Sequence, residues 1–145
     1  MREQRVSDAD TILNGLAVSS LRAATPLLFV LLGECLTQRA GRINLGVEGQ
    51  MLVGAVAGYG VAAATGNPWF GMLAGATAGL ALSLVYALLT VAVHANQIAS
   101  GLAVWMLGFG LSAYVGTGLV GQRVEGFAPL GAGMTPTMLL AVLLV

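Results

Sequence analysis

The sequence predicts an all-α protein, a polytopic transmembrane helix bundle with about four complete spans and the start of a fifth. Hydrophobic residues make up 57% of its 145 residues and charged residues 8%, which leaves too few charges to cover a water-soluble domain of this size. No Asp, Glu, Lys or Arg occurs between Gly49 and Gln122. We therefore expect an integral protein that contacts the lipid bilayer. The formal net charge of zero and the lack of a basic block give no indication of a nucleic-acid partner.

The spans follow from the need for about 20 apolar residues to cross about 30 Å of hydrocarbon. Arg22 interrupts the first span, and Pro26 predicts a kink or a helix start within it. The turn signal GNP, Gly66–Pro68, ends the second. Only HANQ, His94–Gln97, separates the third and fourth, which are therefore expected to be antiparallel neighbours. The predicted spans are Thr11–Leu36, Leu45–Thr65, Trp69–Ala95 and Ile98–Val120.

A polar loop, Gly121–Gly133, follows the fourth span, and Pro136 then opens the apolar run TMLLAVLLV. This run is too short to cross a membrane. We therefore expect the chain to end inside a fifth helix and to be truncated at its C-terminus.

Glycines at four-residue spacing indicate how the helices meet. Such small-xxx-small patterns allow close approach of helix backbones in lipid, where the hydrophobic effect does not drive association. Helix packing is the interpretation we favour for Gly54, Gly58, Gly71, Gly75 and Gly79.

The stretch RAGRINLGVEGQMLVG, Arg39–Gly54, contains most of the polar and charged residues near the second span. Gly46 and Gly49 would permit a broken or re-entrant helix start, which transporters use to present backbone groups to a pathway. Asn44 precedes this element. We expect Asn44 and the two glycines to set the geometry of this entrance.

Glu48 is the acidic residue at the start of the uncharged run. A carboxylate beside hydrocarbon is costly unless it faces protein or water, which marks it as a functional or structural residue. We expect it to shape the broken helix, by accepting backbone N–H groups or pairing with Arg42, rather than to bind substrate as a charged ligand. A simple interfacial pair with Arg42 or Arg39 is the alternative.

Two further amides, Asn96 and Gln97, open the fourth span. Buried amides need hydrogen-bond partners, so both are candidates for the pathway or for an interhelical contact. The alternative is an ordinary hydrated loop of four residues.

Catalytic and cofactor motifs are scarce. His94 is the only histidine and Cys35 the only cysteine, so neither a catalytic triad nor a metal site is expected. Gly116–Gly121, GTGLVG, matches a dinucleotide-binding pattern, but it ends an apolar helix and no strand precedes it. We expect no cofactor.

Three segments together resemble a known family. They are ATPLLFVLLGECLTQRAGRINLGVEGQMLVGA from Ala24, GNPWFGMLAGATAGLALSLVYALL from Gly66 and HANQIASGLAVWMLGFGLSAYV from His94. They resemble the inner-membrane permease subunits of bacterial ABC importers in the branched-chain amino acid and simple-sugar superfamily, nearest to its nucleoside and simple-sugar branch. The chain departs from the family at Thr37 and Gln38, where Ser-Glu is common.

The resemblance implies that residues 1–145 are a single transmembrane permease domain, the N-terminal half of a multi-pass protein of the bacterial plasma (inner) membrane. It implies an ATP-driven, binding-protein-dependent importer for nucleosides or simple sugars. The implied partners are a second permease subunit, cytoplasmic ATP-binding subunits and an extracytoplasmic substrate-binding protein. The chain contains no G-x-x-x-x-G-K-[ST] motif, so it is not expected to be an enzyme, and ATP hydrolysis is expected in a partner.

Two other functions are compatible with the residues. A non-transporting membrane scaffold or assembly subunit would use the glycine faces only to bind other helices. A proton- or ion-coupled secondary carrier would normally place more ionisable residues in its spans.

Overall fold

Four α-helices make up most of the structure, a computed structural model that describes residues 2–124 and 137, with side chains described from residue 12. Helices α1 to α4 span Arg2–Arg39, Val47–Thr65, Pro68–Ala87 and Gln97–Thr117, and a π-helical turn, Leu88–Ala92, continues α3. The described residues fall into two compact units, residues 2–35 and residues 36–124. The first unit is most of α1, and the second contains α2, α3 and α4.

Each of the four helices is long and apolar enough to cross a membrane. The candidate spans are Ile12–Arg39, Val47–Thr65, Pro68–Ala92 and Gln97–Thr117. These observations confirm the prediction of an all-α protein with several spans. The predicted fifth helix and the part of the predicted loop beyond residue 124 lie outside the described residues, apart from the single helical position 137.

Helix α1 continues through Arg22, which was expected to interrupt the span, and through Pro26. Pro26 lies inside the helix rather than at its start. A proline removes one backbone hydrogen bond, whereas ending the helix would expose several more polar groups where lipid offers no partners. Keeping the helix therefore leaves fewer backbone groups unpaired.

The turn between α2 and α3 follows the GNP signal. Gly66 ends α2 with a left-handed φ of 65° and donates its N–H to Ala62 O, a conformation that glycine adopts without steric cost. Asn67 then caps α3, because its side chain accepts from Trp69 N at 3.0 Å. Pro68 is the first residue of α3, where its missing N–H costs nothing.

Helices α2 and α3 are antiparallel and touch at their glycines. A Cβ atom on Gly71 would lie 2.7 Å from Gly58 O, and one on Gly75 would lie 2.8 Å from Gly54 O. Both distances are too short for any larger residue, so the backbones meet directly. Gly79 is less constrained, since its nearest contact would be Gln50 O at 3.8 Å.

Helices α2 and α4 are parallel and also pack closely. A Cβ on Gly46 would lie 3.0 Å from Gly101 O, and one on Gly49 would lie 2.8 Å from Trp105 Cα. Gly108 contacts the backbone of Gly49 directly. Helix α2 thus lies between α3 and α4, with a glycine contact on each side.

The contact at Gly71 predicts that adding one methyl group there lowers the stability of the protein. In the intact protein that contains this chain, Gly71→Ala should lower the free energy of unfolding by about 1–3 kcal/mol, because α2 must move away from α3. Thermal unfolding in detergent, together with abundance in the membrane, measures the effect. Gly110→Ala is the matched control, since a Cβ there meets nothing within 4 Å. Equal stability of the two variants would contradict the close packing.

Candidate functional site

Helix α2 begins beside the second turn of α4. Its N-cap, Gly46, packs on Gly101 and Val104, which lie about 6–10 Å along α4 from its first residue. The residues between α1 and α2, numbers 40–46, are not helical, and we call them the connecting segment. Non-helical backbone at such a depth is tolerated only where protein buries it or where it lines a water-filled cavity.

Side chains of α3 and α4 bond the backbone at the centre of the connecting segment. Tyr86 donates its hydroxyl to Ile43 O at 2.6 Å, and Ile43 donates its N–H to Gln97 Oε1 at 3.1 Å. Gly46 donates its N–H to Asn44 Oδ1 at 3.0 Å within the segment. These bonds supply partners that a regular helix would have provided.

Arg42 binds the π-helical turn at the end of α3. Its Nη1 donates to Thr90 O at 2.6 Å, and Thr90 is 1% exposed. In this turn, the N–H of Val93 reaches back to Leu88 O at 3.0 Å. Carbonyl groups in the last turn of a helix lack backbone donors, and a guanidinium is a strong, charge-assisted substitute. Arg42 therefore ties the connecting segment to α3.

Gln50 is a buried amide on α2 that the sequence interpretation did not single out. Its Oε1 accepts from Asn44 Nδ2 at 3.2 Å, and Gln50 is 8% exposed. Because Asn44 uses its oxygen for Gly46 N–H, it must present its nitrogen to Gln50. Gln50 Nε2 is consequently directed elsewhere, and it has no hydrogen-bond partner among the described residues.

Glu48 lies in the first turn of α2 and faces α4. Its Oε2 accepts from Trp105 Nε1 at 3.1 Å. The ring of Trp105 stacks on that of Phe109, with centroids 6.2 Å apart and planes 28° apart. Arg42 is engaged with Thr90 instead, so the expected pair between Glu48 and Arg42 is not formed.

The predicted pathway residues do not all meet. Gly46 and Gly49 contact α4. Asn44 precedes both glycines in sequence and Glu48 lies between them, and Gln97 reaches the same region through Ile43. Asn96 instead caps α4, because its Oδ1 accepts from Ile98 N at 2.9 Å and Ala99 N at 3.2 Å. It thus caps the N-terminus of its own helix.

Sequence reasoning missed residues whose partners are distant in the chain. In the sequence, Tyr86, Thr90 and Trp105 are ordinary positions in apolar helices. A hydroxyl in the last turn before a loop is a signal that could have directed attention to Thr90. Among the residues that the structure describes, no group of three or more His, Cys, Asp or Glu could hold a metal ion.

Comparison with known proteins decides the family. A family model described as branched-chain amino acid transport system / permease component matches residues 16–143. The chain belongs to this permease family. The resemblance predicted from the sequence is thereby confirmed, and the permease is a multi-pass protein of the plasma membrane.

Several curated proteins are similar to this permease. A putative glucose ABC transporter permease, TsgC13 of Haloferax volcanii, is 46% identical over 113 residues, which cover 78% of this chain and 34% of that protein. The guanosine ABC transporter permease NupQ of Bacillus subtilis is 32% identical over 114 residues, covering 74% of this chain and 36% of that protein. The chain thus spans about a third of the length of these relatives. No solved structure matches it.

The bond between Arg42 and Thr90 predicts an effect on stability. In the intact permease, Arg42→Ala should lower the free energy of unfolding by about 1–3 kcal/mol, because Thr90 O is left buried without its donor. Thermal unfolding of the purified protein measures the loss. Arg39→Ala removes an exposed arginine three positions earlier and should change stability by about 0.5 kcal/mol or less. A loss no larger than that of the control would show that the bond does not hold the segment.

Proposed function

We propose that the chain is part of the permease subunit of an ATP-driven, binding-protein-dependent importer for nucleosides or simple sugars. The observation that carries this proposal is the family match over residues 16–143, together with relatives named as glucose and guanosine ABC transporter permeases. A third relative, 34% identical over 84 residues, is named as a nucleoside ABC transporter permease, NupC of Lactococcus lactis. These names favour neutral, hydroxylated substrates.

The geometry around the connecting segment supports a transport role. A helix that starts inside the depth of its neighbour, after a bonded but non-helical segment, is the kind of discontinuity with which transporters build substrate sites. A scaffold needs only packed helix faces, such as the contact of Gly58 with Gly71. It gives no reason to keep irregular backbone, Glu48 and several amides at that depth.

The proposed partners follow from the class of transporter. A second permease subunit would complete the pathway, cytoplasmic ATP-binding subunits would drive it, and an extracytoplasmic binding protein would deliver the substrate. Within the proposal, Asn44, Gly46, Gly49 and Gln97 shape the entrance of the pathway by fixing the start of α2 against α4.

Uptake by the complete transporter tests the proposal. Cells that lack their own sugar and nucleoside importers should accumulate labelled glucose or guanosine when they express the permease with its ATP-binding subunits and binding protein. Accumulation should disappear when the ATP-binding subunit carries a Walker A lysine substitution, because that lysine contacts the nucleotide phosphates. The control is the same cells with the permease omitted.

Two results would contradict the proposal. Accumulation of no sugar or nucleoside, with all subunits present in the membrane, would favour the scaffold. Accumulation that persists without ATP hydrolysis would favour a secondary carrier.

A further inference from the structure

Glu48 lies beside the middle part of α4, where a carboxylate must face water or polar groups to be stable. Its partner Trp105 is the ninth residue of α4, about 12 Å along that helix from its first residue. Helix α4 is about 31 Å long, comparable to the hydrocarbon thickness. Glu48 is exposed on the surface of this chain, and no arginine pairs with it in the part of the chain that the structure describes.

This placement makes lipid an unfavourable neighbour for Glu48. A carboxylate that faces hydrocarbon at this depth is strongly unfavourable, whereas one that faces water or polar groups is not. The single N–H of Trp105 supplies one of the several hydrogen bonds that a carboxylate accepts. The face of the bundle that carries Glu48 is therefore covered by something polar.

Two aromatic side chains share this face. Trp105 is half-buried and Phe109 is 59% exposed, and their rings stack next to the carboxylate. The bond from Trp105 Nε1 occupies Oε2 of Glu48 and leaves Oε1 available to accept from another molecule. Aromatic rings beside a hydrogen-bond acceptor suit a ligand that has an apolar ring face and hydroxyl groups at its edge.

We propose that Glu48, Trp105 and Phe109 form a substrate-contacting surface of the pathway, where the two rings stack on a neutral sugar or nucleoside and Glu48 Oε1 accepts a hydrogen bond from one of its hydroxyl groups. This inference rests on the proposed function. It differs from the expectation that Glu48 only shapes the helix start, because neither the freed backbone groups nor Arg42 uses its carboxylate. In this proposal Glu48, Trp105 and Phe109 contribute to the specificity for substrate.

The first test compares substrates as well as variants, in the complete transporter. With the substrate that the transporter is found to accumulate, Glu48→Gln should lower uptake about tenfold, because a hydrogen bond to a charged acceptor is weakened. For the monodeoxy analogue that lacks the bonded hydroxyl, wild type and Glu48→Gln should take up equal amounts. Glutamine still accepts from Trp105 Nε1, so the packing of α2 on α4 is retained, and membrane abundance checks this.

The second test measures whether the surface faces the pathway. In a transporter from which the native cysteines, including Cys35, have been replaced, Phe109→Cys should react with a charged, membrane-impermeant thiol reagent, and saturating substrate should slow that reaction. Leu107→Cys is the matched control, because Leu107 is also exposed and lies about 160° around the helix from Phe109 at nearly the same depth. It should react slowly, with or without substrate.

The outcomes separate this inference from the proposed function. If wild type accumulates no sugar or nucleoside, the proposed function fails. If wild type accumulates substrate but Glu48→Gln lowers uptake of the substrate and of every monodeoxy analogue equally, Glu48 has a structural role and only this inference is overturned. Slow labelling of Phe109→Cys, equal to the control, would overturn it too, and would mean that another protein helix or lipid covers the surface.

Discussion

The backbone of a non-helical segment inside a membrane bundle must find hydrogen-bond partners other than bulk water. Residues 40–46 meet this constraint with side chains, since the carbonyl and the N–H of Ile43 bond to Tyr86 and Gln97. An unpaired backbone group at that depth would cost several kcal/mol. The position of α2, and with it that of Glu48, depends on these bonds.

Close packing by glycine allows those bonds to form. Helix α2 approaches α3 at Gly54 and Gly58 and approaches α4 at Gly46 and Gly49. Because the backbones nearly touch, the ends of α3 and α4 come within hydrogen-bond distance of the connecting segment. A larger residue at these glycines would separate the helices, and the amide and hydroxyl partners would lose contact with the segment they bond.

The π-helical turn is part of the same arrangement. It ends α3 with Thr90 buried and its carbonyl bonded to Arg42. Turns of this kind are rare and occur frequently at functional sites. Here the turn lets Arg42 connect the residues before α2 to the end of α3.

The helices could be predicted from the sequence, but the hydrogen bonds between residues distant in the chain could not. Apolar run length and the GNP signal predicted a second span over Leu45–Thr65, and the structure has Val47–Thr65. Glycine spacing pointed to packing surfaces on α2 and α3, because that pattern repeats locally.

The bonds between distant residues left no comparable local pattern. Arg42 and Thr90 are 48 positions apart, and Glu48 and Trp105 are 57 apart. Gly101 and Gly108 are seven positions apart, outside the four-residue spacing that marked the other glycines. Pro26 was expected to kink α1 or to start a helix, and it lies inside α1 rather than at a start, because lipid favours continuous backbone bonding over the local preference of proline.

Hydrogen exchange at the amide of Ile43 tests the central claim most directly. In the intact permease in lipid nanodiscs, this amide should exchange more slowly than an amide in an unstructured peptide, because Gln97 accepts its proton. Exchange as fast as in an unstructured peptide would contradict the account, since it would show that Gln97 does not hold the connecting segment against α4.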